Sequence, residues 1–369
     1  MATNYTLDLP HYSVGPQAYD LIGDVIRPYG HKVAVIGGET ALKKAKEPLL
    51  AALKKAGATV TDLCVYGHDS TMDNVNKIME RPGVKEADIL FGVGGGRACD
   101  TVKCAADMMG KTVMTCPTVA SNCAPVSALA VIYNNDGSLN HYHVMKSCAA
   151  HCFINTTVIL DSPERLFWAG IGDALSKQLE VLYATKNRDL FHTPLLGATL
   201  ALACQEPLLK YGAKALDDFK NNRMSNDFKE VVLDIIVSTG IVSNLTSSKE
   251  YYYNSALAHC FYNAATVIPA THKHLHGEIV SFGNLVQCAY DEQFELLDRL
   301  LKFNMKVGLP VTLAQVDVKV SDLDKLLDKA PSVNEWKTGY RETTREGFRA
   351  AILKADELGR KALAEAAAA

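Results

Sequence analysis

Apolar residues in the first half of the chain recur as short continuous runs, each closed by a turn signal and followed by a stretch of helical period. Residues 31–38 (HKVAVIGG) form the first run, and residues 40–56 carry a period near 3.6 behind it. The alternation repeats at 58–66, at 87–93 and at 112–116, where Pro117 stops the run. Strands apolar at every position are buried on both faces, so the pattern predicts an α/β fold with a parallel, Rossmann-like sheet. Residues 128–133 and 140–145 flank Asn134-Asn135-Asp136-Gly137 and predict a β-hairpin, and residues 158–161 read as one more short strand. After Ser162-Pro163-Glu164 the period changes to 3.6 over 164–167, 171–187, 195–211, 227–244 and 348–367. The expected organisation is an α/β domain at 1–162 and an all-helical domain at 163–369.

The stretch FGVGGGRACDTVKCAAD, residues 91–107, is the first to add chemistry. Gly94, Gly95 and Gly96 end an apolar run and open a helical pattern, which leaves unpaired backbone N–H groups where no side chain obstructs a phosphate. The dinucleotide fingerprint G-x-G-x-x-G fails here, because the third glycine counted from Gly92 falls at Arg97. Asp100 and Lys103 on this helix read as a first-turn dipole contact and a solvated face.

Composition narrows the class without naming it. With 369 residues, 48% hydrophobic and 21% charged, the chain is globular and long enough for two cores. A net charge of -3 gives no sign of a nucleic-acid or anionic-membrane partner, and no run of about 18 uncharged apolar residues marks a membrane span. A cytoplasmic protein is expected. Ten cysteines without C-x-x-C pairs read as free thiols, and a metal clip of Cys148 and Cys152 with His143 and His151 lacks a second ligand pair of standard spacing.

Residues 258–287 hold four histidines, His259, His272, His274 and His276, within 18 positions. That density points to a metal or proton-transfer site. Upstream, Asp173 sits beside Gly172 in an otherwise apolar helical stretch. It reads either as a helix N-cap or, with the histidines, as a third ligand to Zn2+ or Fe2+.

Four motifs occur together and in order: GVGGGRACDTVK, PTVASNCAPVSALAVIY, GIGDALS, and AHCFYN with LHGEIVSFGNLVQ. In these the chain resembles the glycerol dehydrogenase branch of the iron-containing (group III) alcohol dehydrogenase family, along nearly its whole length. The resemblance implies a dinucleotide-binding α/β domain followed by a helical metal-binding domain, the architecture also found in dehydroquinate synthase. It implies Asp173, His259 and His276 as metal ligands, and Gly95, Gly96, Arg97 and Asp100 as the pyrophosphate turn. Thr118 and Ser121 match further cofactor contacts, and Ser127, Leu129 and Tyr133 match the nicotinamide side. A homo-oligomer is expected on the same ground. His272 and His274 are not carried over as ligands; proton relay or loop capping is open for them.

Two departures bear on substrate and cofactor. Where the resemblance implies an aspartate that contacts a polyol, the chain has Ser121-Asn122-Cys123-Ala124-Pro125. Cys123 removes a negative charge from the substrate pocket, which makes glycerol doubtful and points toward 2-oxo and 2-hydroxy acids or related small hydroxy compounds. After the first strand stands Gly37-Gly38-Glu39, with glycine at the position of the NAD-selecting aspartate, so NAD and NADP both stay open. The expected activity is metal-dependent, NAD(P)-linked interconversion of a small secondary alcohol and its carbonyl. A dehydroquinate synthase-like lyase and a non-catalytic cofactor-binding relative are the alternatives.

Overall fold

The computed structural model describes residues 6–368. Its strands are β1 (Tyr12–Gly15), β2 (Lys32–Gly37), β3 (Thr59–Val65), β4 (Ile89–Gly94), β5 (Thr112–Pro117), β6 (Leu129–Tyr133), β7 (Leu139–Val144) and β8 (His151–Asn155). Six form one parallel sheet, β1-β8-β5-β4-β2-β3, while β6 and β7 pair antiparallel as the expected hairpin.

Side chains alternate across a strand, and here both destinations are dry. Val33 and Val35 of β2, with Ile89 and Phe91 of β4, pack against Leu42, Ala45, Leu49 and Leu53 of the helix Glu39–Lys55. Ala34, Ile36 and Leu90 turn the other way, toward Ala98, Val102 and Ala105 of the helix Gly96–Met109. The helices that follow β2 and β4 thus cover opposite faces of neighbouring strands. Such a switch point leaves a crevice at the carboxyl ends of the strands, where open α/β sheets bind ligands.

The short strand expected at 158–161 is instead the helical turn Thr156–Leu160. Asn155 causes the difference: its side chain accepts from the backbone N–H groups of Thr157 and Val158 and caps the turn, splitting one apolar run into strand and helix. The strand lies earlier, as β8, and pairs with β1, which its sequence does not announce.

The chain divides into two compact units, Met1–Glu164 with Asp218–Asn244, and Arg165–Asp217 with Leu245–Ala369. Sequence reading assigned 218–244 to the helical half, but this excursion packs with the sheet unit. Gly240 there lies so close to Val126 that a Cβ would overlap it, and Asn244 accepts from the Ala128 N–H at 2.7 Å while donating to the Val126 carbonyl at 3.1 Å. The second unit is helical, and its central helix, His276–Tyr290, is buried from Gly277 to Ala289. The helix expected at 171–187 is interrupted at Leu175, between Glu164–Ala174 and Ser176–Thr185. No helix among the described residues is long and apolar enough to cross a membrane.

Candidate active site

One candidate site is a backbone surface in the sheet unit. Gly94 adopts φ +148°, a conformation side-chain-bearing residues rarely reach, and a Cβ there would lie 2.7 Å from Ala98 Cβ. Gly95 is the N-cap of the helix Gly96–Met109 and has no side-chain cap, so the first N–H groups of a 14-residue helix are left for an anion. At Gly96 a Cβ would lie 2.6 Å from the Asn122 amide nitrogen. The Gly38 N–H donates to the Val93 carbonyl at 3.2 Å, which draws the turn after β2 against the turn after β4.

Arg97 is exposed above this turn, its guanidinium 3.3 Å from Asp69 Oδ2 and 5.4 Å from the centre of the Tyr133 ring. Asp100 and Lys103 depart from the solvated-face reading, since both are buried. Asp100 Oδ2 accepts from the Val131 N–H at 3.0 Å, and Oδ1 lies 3.1 Å from Lys103 Nζ. Lys103 in turn donates to the carbonyls of Ser127 at 2.9 Å and Leu129 at 2.7 Å. The pair is a strut for residues 127–131. Burial raises the Asp100 carboxyl above the ordinary range, against the opposing pull of Lys103.

That strut presents the remaining candidates of this unit. Along β6 the alternation sends Ala130 and Ile132 into the core and leaves Leu129, Val131 and Tyr133 half-buried on the other side. Ser127 donates to the Leu129 carbonyl at 3.1 Å, and the Thr118 N–H donates to the Gly94 carbonyl at 3.2 Å, beside the glycine turn. Ser121 and Cys123 are half-buried in the intervening loop, where the Cys123 carbonyl accepts from the N–H groups of Val126 and Ser127.

Another candidate site is built of side chains, in the helical unit, and glycines again permit it. A Cβ on Gly277 would overlap the Ala169 carbonyl and lie 2.9 Å from Asp173 Cβ, and one on Gly172 would lie 2.6 Å from the Gly277 carbonyl. The helices Glu164–Ala174 and His276–Tyr290 therefore touch backbone to backbone, which brings Asp173 to His276. Gly283 provides a second notch, against the Ala258 carbonyl, and brings in His259 on the helix Leu257–Ala265.

The result is one cluster whose ligand atoms on Asp173, His259 and His276 all lie within 4.8 Å of one another. Asp173 Oδ1 is buried without a hydrogen bond of good geometry, yet stands 3.0 Å from His276 Nε2 and 3.5 Å from His259 Nε2. An orphaned carboxylate oxygen facing two imidazole nitrogens is a donor set that fits Zn2+ or Fe2+. Asp173 lies inside its helix, so the N-cap alternative does not hold. Burial pushes its carboxyl up, but the charges of His276 and His259 outweigh that and hold it well below the carboxylate range. For His259 burial favours the neutral ring, and Glu180, then Asp173, overcome it and raise the group to about 10.

The other histidines do other work. His274 has both ring nitrogens on carboxylates, Nδ1 at 2.7 Å from Glu278 and Nε2 at 2.6 Å from Asp317, and so ties the loop before the ligand helix. His272 Nε2 lies 2.8 Å from the Thr266 carbonyl. Among the described residues Cys148, Cys152, His143 and His151 form no metal group, and none of the ten cysteines is in a disulfide. Sequence reading missed Glu180, whose signal was a carboxylate seven residues after Asp173 between Leu179 and Val181. It also missed Gln287, which accepts from the Ala258 N–H at 3.2 Å and donates to the Leu179 carbonyl at 3.0 Å, bracing the same helices.

Comparison with known proteins bears on the family. The family model described as iron-containing alcohol dehydrogenase matches residues 10–162. Hydroxycarboxylate dehydrogenase A of Escherichia coli K12 is 33% identical over 296 residues, 79% of this chain and 80% of that protein. Glycerol dehydrogenase of Citrobacter freundii is 31% identical, over 96% of this chain and 97% of its own. The crystal structure of glycerol dehydrogenase from Schizosaccharomyces pombe superposes with a TM-score of 0.87 at 26% identity, over 98% of this chain and 92% of that one. These likenesses favour an oxidoreductase over the lyase and non-catalytic alternatives. The chain is a metal-dependent alcohol oxidoreductase belonging to the iron-containing alcohol dehydrogenase family.

Proposed function

We propose that the chain interconverts a small 2-hydroxy acid, or a related hydroxy compound, and its carbonyl, using NAD or NADP and one divalent metal, Zn2+ or Fe2+. The observation that carries the metal-dependent chemistry is the convergence of Asp173, His259 and His276, which would hold the ion. When bound, the cofactor supplies the hydride carrier and the metal a Lewis acid for the substrate oxygen. The protein supplies placement and charge. Gly95 and Gly96 offer backbone N–H groups to the pyrophosphate, with Arg97 as a cation above them and Thr118 and Ser121 beside them. Asp100, assigned to the pyrophosphate turn by resemblance, acts by holding residues 127–131, so that Ser127, Leu129 and Tyr133 meet the nicotinamide as a rigid wall. Asp173 contributes the one negative ligand.

Substrate choice rests on Cys123. A thiol where a polyol enzyme of this branch would carry a carboxylate neither accepts strong hydrogen bonds from a diol nor repels an anion, so an acid is better tolerated than glycerol. At the adenosine end, Glu39 pairs with Lys43 at 3.0 Å, so the carboxylate that would bar a 2'-phosphate stands beside a cation, and NAD and NADP both stay open. The test is NAD(P)H oxidation by metal-reconstituted protein with a panel of 2-oxo acids and a panel of neutral ketones including dihydroxyacetone. Preference for the acids is expected; preference for dihydroxyacetone would return the protein to polyol chemistry. Light scattering on the same preparation tests for the homo-oligomer expected from the family.

A further inference from the structure

The helix Leu257–Ala265 carries His259 but lacks a side-chain cap of its own, its N-cap position being Ala256. Glu180, fully buried on the helix Ser176–Thr185, takes that place from a different part of the chain. Its Oε1 accepts from the backbone N–H groups of Ala256 at 2.8 Å and His259 at 2.9 Å, and its Oε2 lies 2.6 Å from His259 Nδ1. An ionised carboxylate can only accept, so the ring nitrogen facing it carries the hydrogen. The other nitrogen, Nε2, is then the one with a lone pair in the neutral ring, and it is the one turned toward Asp173.

We propose that Glu180 is the positioning residue of the metal site: it selects the tautomer of His259 that can bind a cation and locks the ring's direction. The inference rests on the metal reading above and adds to it a residue that touches neither metal nor substrate. Among the described residues His276 has no such anchor; its ring stands roughly perpendicular to that of Tyr262, the centroids 4.2 Å apart, and its side chain is 37% exposed. Of the two imidazoles, His259 is therefore the preorganised one. Its buried anionic neighbour also strengthens Nε2 as a donor, an effect that histidine ligands commonly take from an outer carboxylate.

A bland role for Glu180 is to cap the helix and nothing more, and Glu180→Gln separates the two. The glutamine oxygen can still accept from Ala256 and His259, so the cap survives. Its NH2 group cannot accept from Nδ1–H, so the tautomer preference is lost or reversed. The full chain, stripped of metal, is titrated with Zn2+ against a chromophoric chelator, and with Co2+ by visible absorption. For Glu180→Gln with a thermal midpoint near wild type, Zn2+ affinity is expected to fall by roughly 10–100-fold, with altered Co2+ bands. Unchanged affinity and an unchanged Co2+ spectrum would overturn the role of Glu180 while leaving the metal site intact. A wild type that binds no zinc would overturn the metal reading itself, and this inference with it. Should the variant fail to fold, 15N-histidine NMR of zinc-loaded wild type decides. A hydrogen on Nδ1 of His259 with zinc at Nε2 supports the proposal, and the reverse arrangement overturns it.

Discussion

In the proposed function the glycine turn after β4 and the Asp-His-His cluster solve the same problem, placing charge-binding groups where a ligand can reach them, in opposite ways. At the turn the binding groups are backbone N–H donors, every residue has them, and the sequence need only remove obstructing side chains at Gly94, Gly95 and Gly96. At the cluster the binding groups are three side chains on three helices, and each must be aimed by something else: Glu180 behind His259, glycine notches at Gly172, Gly277 and Gly283, and a Gln287 brace. A backbone site is thus vulnerable to added atoms. A side-chain site is vulnerable to lost partners, including ones that never meet the ligand.

The largest effect should come from removing a ligand. Asp173→Ala is expected to abolish stoichiometric metal binding and lower turnover by at least ~10³-fold, since several kcal/mol of Lewis-acid stabilisation goes with the ion. NADH binding, followed by fluorescence, should persist because the sheet unit is untouched. Loss of both would break the distinction between the two parts.

Next in size is a buried carboxylate that, unlike Glu180, is poorly served. Asp234, in the π-helical turn Asp234–Ser238, has no hydrogen bond of good geometry to either oxygen among the described residues, with Ser238 the nearby hydroxyl. Burial raises its carboxyl from 3.8 to about 8, against a smaller opposing effect of Ser238. The folded state therefore keeps a proton that the unfolded chain releases above pH ~4. The resulting cost is absent below that pH, grows up to pH ~8 and is full above it. Asp234→Asn should stabilise the protein by about 4 kcal/mol near pH 7, more at pH 9 and little at pH 4. Denaturant melts across that range read it directly, and a pH-independent difference would show that the group is not held protonated.

Gly96→Ala tests the backbone side of the comparison. The new methyl meets the Asn122 amide at 2.6 Å, a strain of about 1–3 kcal/mol unless that side chain moves away, so cofactor affinity should fall roughly 10-fold or more while metal content stays that of wild type. Gly96→Ala/Asn122→Ala should recover part of the loss. The smallest effect is expected for Cys123→Asp, about a tenfold shift of kcat/KM from 2-oxo acids toward dihydroxyacetone, or ~1.4 kcal/mol. An unchanged preference would remove Cys123 from substrate recognition.

Local patterns were legible wherever one segment carries its own instruction. The six runs read as strands at β2, β3, β4, β5 and in the β6–β7 hairpin lie where β-strands stand, and the glycine turn lies where the strand order of the parallel sheet reverses. The reading failed at 151–160, where one apolar run holds both a strand and a helix and only the Asn155 cap tells them apart. It failed again at Asp100 and Lys103, because a charged pair on a helix looks the same from sequence whether it faces water or props up residues 127–131. The histidines were visible as a density, and the family resemblance chose among them.

By itself, the sequence determined what depends on neighbours along the chain: the strand and helix periods, the unobstructed turn at Gly94–Gly96, and the presence of metal-binding side chains. Only the tertiary structure decided that the helical excursion 218–244 packs with the sheet unit, that His274 belongs to Glu278 and Asp317, and that Glu180 faces Nδ1 of His259. The physical reason is range. A helix period or a glycine turn is set by sterics over a few residues, whereas a buried carboxylate is tolerable only if donors 76 and 79 positions away fold onto it.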